Sequence, residues 1–188
     1  MSPSPSASGA SAYRVGVPAT DDVEPDTASL LELVDRPPRG PIPTVGVLAH
    51  TPRLFGPFLG WASAIALEGA LSKRDHELVA LRAIHHCQSE FERVEHAEFA
   101  RDAGITDAEL ALLERADAAD AHEWAEHEAA LLRAIDELAT SCSISDATWA
   151  ELARHYTAGQ LVEIPFVAGQ YTMLSMVANA LGIGAWSD

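Results

Sequence analysis

Cysteine is scarce in this 188-residue chain, with only Cys87 and Cys142. Two thiols are too few for a disulfide framework, and both are expected to stay reduced in the cytoplasm. Positive charge is scarce too: twelve Lys and Arg stand against twenty-eight Asp and Glu, for a formal charge of −16. A chain of that sign lacks the basic face that phosphates require, which excludes nucleic acid as a partner. It equally disfavours an anionic membrane surface. No secretory-type apolar segment opens the chain. No apolar run is long enough to span a bilayer without interruption; the best candidate, LVEIPFVAGQYTMLSMVANALGIGAW, carries Glu163 and Pro165. Strand alternation and internal repeats are missing as well. What is present is 48% apolar residues, enough for a core of ordinary size.

Organisation follows composition. Residues 1–12, MSPSPSASGASA, are Ser/Pro/Ala-rich and are expected to be disordered. Residues 13–43 are proline-rich and read as an extended arm holding one short helix, DTASLLELV. From 44 to 188 the periodicity is helical, and the fold class is all-α. Ser72 with Asp75 and Thr106 with Glu109 are helix-start patterns, and Ser145 is a further cap. Gly104 and Gly182 are helix stops. HEWAEHEAALLRAIDELATSC is amphipathic throughout, and the last helix carries a kink site at Pro165.

One stretch concentrates chemistry: HHCQSEFERVEH, His85 to His96. On a single helix His85, Ser89, Glu92 and His96 would share a face, leaving Glu90, Arg93 and Glu95 toward solvent. Ser89 and Glu92 also form an S-x-x-E capping pattern, which predicts a helix end near His86 and a new start at Ser89. The difference matters for Glu77. On one straight helix it would lie roughly 18 Å from Ser89, at about 1.5 Å per residue. With a reversal the two helices run back to back, and Glu77 approaches His96. The reversal is the favoured reading. The plainer roles are a capping Glu92, a core His96, helix-end His85 and His86, and a small buried Cys87.

The segment RDHELVALRAIHHCQSEFERVEHAEFARDAGITDAEL resembles the core of the carboxymuconolactone decarboxylase and alkylhydroperoxidase D family. Redox members of that family carry a glutamate followed, twelve residues on, by C-x-x-C-x-x-x-H. His96 matches the histidine, Glu77 the glutamate, Ser89 the first cysteine and Glu92 the second. The resemblance implies an alkylhydroperoxidase D-like helical domain and a homo-oligomer, a trimer or hexamer. It also implies a site at Glu77, Ser89, Glu92 and His96, with His85 and Cys87 as accessory candidates. Apolar residues on several faces of the last helix, such as Phe166, Met173 and Met176, fit burial by a partner subunit.

The missing thiols argue against disulfide-based peroxide reduction, since Ser89 and Glu92 can neither attack nor resolve. Histidine between carboxylates suits proton transfer instead, and two close carboxylates raise the pKa of one of them. The leading expectation is a cofactor-independent acid–base enzyme for a small organic acid, lactone or related carbonyl compound, with no metal. The alternatives are a metal enzyme, a non-catalytic oligomeric module, and a residual thiol role for Cys87. For the metal enzyme His85, Glu92, His96 and Glu77 have ligand-type side chains. The Glu92–His96 and Glu123–His127 spacings are one residue longer than the Glu-x-x-His of di-iron bundles.

Overall fold

The computed structural model describes residues 13–121 and 124–184. The segment expected to be disordered and Glu123 lie outside these residues. Among the described residues there are nine α-helices, three short 3-10 turns and no strand. The helices are α1 (Pro25–Leu33), α2 (Pro43–Gly46), α3 (Pro52–Glu68), α4 (Lys73–Cys87), α5 (Glu90–Asp102), α6 (Asp107–Leu113), α7 (Glu126–Ser141), α8 (Asp146–His155) and α9 (Ala158–Leu181).

Local sequence explains most boundaries. Ser72 Oγ accepts from the Asp75 N–H at the start of α4, and Thr106 with Glu109 completes a capping box on α6. Ser145 caps α8. Gly104 and Gly182 take positive φ just after α5 and α9. α9 runs unbroken through Pro165. By length and composition it is long and apolar enough to cross a membrane. This corrects the expectation that Glu163 and Pro165 interrupt the run: one helix carries both residues. Half of its apolar window is buried in the fold.

The core is built around α4, which packs on α9, α7 and α5. Its apolar residues Leu78, Leu81 and Ile84 are buried as their spacing requires. Burial goes much further, because every residue from Asp75 to Ile84 is buried, including Asp75, His76, Glu77 and Arg82. Each of these polar side chains is partnered. Arg82, only 1% exposed, bonds to Asp136 and to the carbonyls of Leu113 and Arg115.

The proline-rich arm holds the expected short helix as α1, and it folds back on its own chain. Leu31 and Val34 pack with Ala49 and Phe55 in a second small core. Arg14 N–H donates to Leu181 O at 2.8 Å. Tyr13 and Ile42 pack beside Phe91 of α5 and Ala178 of α9. The arm thereby brings α2, with Thr44, against the face of α5 described next.

Candidate functional site

The chain reverses between His86 and Ser89, as expected. α4 ends at Cys87, Gln88 takes the left-handed conformation (φ 52°), and Ser89 is the extended N-cap of α5. The capping box that suggested this reversal is not made. α5 has no side-chain cap, because Ser89 Oγ and Glu92 Oε1 turn into the interior, where both lack a partner. Glu92 is engaged on its other side instead, by His96 and the Thr44 hydroxyl.

The reversal brings Glu77 and His96 together. His96 Nδ1 donates to Glu77 Oε2 at 2.9 Å, and His96 Nε2 lies 4.0 Å from Glu92 Oε2. The imidazole is therefore fixed at Nδ1 and presents Nε2 toward the second carboxyl group. Glu77, Glu92, His96 and Ser89 are all buried, none more than 8% exposed. Burial pushes the Glu92 carboxyl above its ordinary range, against the opposing pull of His96 and Thr44. A raised carboxyl was expected, but from a second carboxylate. Desolvation is the dominant cause, and the acidic neighbour that contributes is Glu95, in last place.

Three site residues carry no local signal. Tyr171 of α9 sets its ring edgewise on His96, with centroids 4.4 Å apart. Its hydroxyl lies 2.9 Å from His76 Nε2. Burial lowers the pKa of His76 and, together with Glu77 and Glu92, raises that of Tyr171, so both groups are held neutral. Thr44 reaches Glu92 from α2.

The two accessory candidates fall elsewhere. His85 does not share a face with Glu92 and His96, because the chain turns between them. It lines a groove of about 240 Å³ with Arg93, Ala97 and Arg101. Cys87 packs toward Thr172 and Ser175 of α9, and burial pushes its thiol pKa up, the reverse of what an attacking thiolate needs. A second groove, of about 220 Å³, is lined by Arg36, Arg39, Glu95, Glu98 and Phe99. Phe99 also meets the His96 ring, 5.5 Å between centroids.

For metal ligation, the expected set loses His85 and keeps Glu77, Glu92 and His96. His127 faces Asp75 at 3.7 Å. A separate group, Glu126, Glu151 and His155, has ligand-type atoms within 4.8 Å of one another on α7 and α8. His155 and Glu151 pair with each other there, and Arg154 pairs with Glu151.

Residues 52–137 match the model of the Carboxymuconolactone decarboxylase family. No curated protein matches the sequence. Among solved structures, the chain is similar to an alkylhydroperoxidase AhpD core from Ralstonia eutropha, a peroxidase-related protein. That match has 20% identity and a TM-score of 0.77, and it covers 93% of each chain. It is also similar to a peroxidase-related protein from a Silicibacter species (16% identity, TM-score 0.73, 89% of this chain and 90% of that one). A third match is a protein of unknown function from Agrobacterium tumefaciens (18% identity, TM-score 0.66, 75% and 96%). These likenesses carry the fold. Residues 52–137 thus match the carboxymuconolactone decarboxylase family, in a chain of alkylhydroperoxidase D-like fold that keeps the Glu77–His96 frame and carries serine and glutamate where a C-x-x-C pair would stand.

Proposed function

We propose that this protein is a cofactor-independent acid–base enzyme, acting on a small organic acid, lactone or related carbonyl compound. One observation carries the reading: His96 is held by Glu77 at one ring nitrogen and with the other faces Glu92, a buried carboxyl group whose pKa burial raises. An imidazole and a carboxylic acid so placed can exchange a proton with each other and with a bound substrate. In a decarboxylation the C–C bond to the carboxylate breaks, CO2 leaves, and the carbon left with the electron pair takes a proton from Glu92. Lactone opening, isomerisation and dehydration would use the same pair. The expected setting is the cytoplasm, with both thiols free, and the expected assembly is a homo-oligomer.

The test is substitution once a turned-over compound is in hand. His96→Gln keeps size and removes the titrating ring. Loss of general acid–base catalysis lowers kcat by roughly 10²–10⁴-fold with the fold intact. Glu92→Gln should be as harmful, since no capping role is at stake. Full activity in both variants would place the chemistry elsewhere.

A second reading, the fold kept as a non-catalytic oligomeric module, is favoured by the closure of the site. Glu77, Glu92 and His96 are buried, and neither groove described above is lined by them. A screen of lactones and unsaturated acids with no His96-dependent turnover supports that reading.

A further inference from the structure

Beside His96, Ser89 Oγ and Glu92 Oε1 are buried without partners, in residues only 2% and 3% exposed. Nearly all such atoms in folded proteins are paired, and an unpaired one is costly. The S-x-x-E pattern offers each a local bond at the start of α5, yet neither bond is made. Both side chains instead lie on the face of α5 that carries His96, at steps of three and four residues. They are spent on something other than holding the helix.

Resting on the acid–base reading above, we infer that Ser89 and Glu92 seat the carbonyl oxygen of a small uncharged substrate group, of the lactone or ketone class, with the Ser89 hydroxyl donating to that oxygen. The surroundings select against a carboxylate at this position. A buried anion needs a cation or several donors. Among the described contacts of the Ser89, Glu92 and His96 side chains there is no guanidinium or ammonium group. The neighbours include Glu77, Glu95, Thr44, Tyr171, Phe99 and His76, whose ring burial favours in the neutral form. A carbonyl oxygen brings lone pairs and no net charge, and it can accept from two hydroxyl-type donors at once. Burial pushes the Glu92 carboxyl toward the protonated form, the form in which its unpartnered oxygen can donate. Ser89 also sits at the positive end of the 13-residue helix α5, which favours charge building on that oxygen during reaction. Where a substrate carries a carboxylate, that group stays outside this buried end.

The test uses two probes with one carbon skeleton, γ-butyrolactone and its ring-opened acid 4-hydroxybutyrate. They are titrated into the full ¹⁵N-labelled chain and followed by amide TROSY spectra near neutral pH. The lactone is expected to move the amides of Ser89 to His96, and 4-hydroxybutyrate to leave them in place. Ser89→Ala deletes only an unpaired oxygen, so it should fold as well as the wild type. It should weaken lactone binding about tenfold, the loss of one hydrogen bond. Equal binding of acid and lactone, unmoved amides, or unchanged lactone affinity in Ser89→Ala would overturn the seat. Those outcomes are separate from the acid–base reading. Turnover lost in His96→Gln with lactone binding unaffected by Ser89→Ala sinks the seat alone. Turnover retained in His96→Gln and Glu92→Gln sinks the acid–base reading and leaves the binding result standing.

Discussion

At the scale of single residues, burial does more than pairing to set protonation. Glu92 and His76 show it in opposite senses. Burial favours the neutral form of each, so the carboxyl pKa rises and the imidazole pKa falls. His76 gives a stability prediction. In the unfolded chain it takes up a proton near pH 6.5; in the fold it does so only at lower pH, despite the attraction of Glu77. Between those two values the unfolded state binds more protons, so stability rises with pH. The contribution is fully present above about pH 6.5 and is lost as pH falls through the lowered value. His85 is also lowered and acts in the same direction. Glu92 acts in the other, because its folded form takes a proton before the unfolded form does. Urea midpoints between pH 5 and 8 for wild type and His76→Gln separate these terms. The variant should lose part of the rise toward neutral pH, and superimposable slopes would count against the assignment.

At the scale of elements, the α4–α5 reversal makes the site, because it turns a separation of nineteen residues into the 2.9 Å bond between Glu77 and His96. Gln88 performs the turn with φ at 52°, a conformation that costs a residue with a Cβ on the order of 1 kcal/mol. Gln88→Gly should therefore change stability by about 0 to +1 kcal/mol, since relief of strain is partly offset by entropy of the unfolded chain. Gln88→Val should lower it by about 1–2 kcal/mol, because a β-branched side chain tolerates this region worst. A Val variant as stable as the Gly variant would show that the turn is not strained. The position of the reversal was legible in the sequence, but for an incomplete reason. S-x-x-E marked the N-cap correctly, although its side chains do not cap. α4 was legible only on its apolar side. The burial of His76 and Arg82 had no local sign, because polar side chains usually lie at the surface, whereas Glu77 was placed beside His96 by the reversal and by the resemblance. Their partners Tyr171 and Asp136 lie 95 and 54 residues away, where no local pattern reaches. Thr44 was hidden the same way, as the first residue of the helical segment, with nothing local to point it at Glu92.

At the scale of the whole molecule, the fold closes its catalytic-type residues inside and leaves apolar ones outside. On α9, Ile164, Val167 and Leu174 are buried, which accounts for part of the apolar surface that the sequence placed around this helix. Val162, Phe166, Met173 and Met176 are exposed on the same helix, and Trp61 and Leu67 are exposed on α3. Trp61 and Phe166 meet edge to face at 5.5 Å, so the two helices join in one apolar surface. Contiguous exposure of this kind marks an interface, and a helix apolar on all sides calls for a cover on each. A second copy of the chain is the expected cover, as the family resemblance implies, and the repulsion between copies of net charge −16 is screened by salt at the contact. Light scattering should therefore give a multiple of the 20.0 kDa chain mass, three or six. Phe166→Glu together with Met176→Glu should return the protein to monomer, since each buried side chain of that size contributes about 1.5–3 kcal/mol when withdrawn from water. Circular dichroism should stay helical in the double variant, because neither residue belongs to the core. A wild-type protein that scatters as a monomer at high concentration would refute the assembly and leave the apolar face of α3 and α9 to another partner.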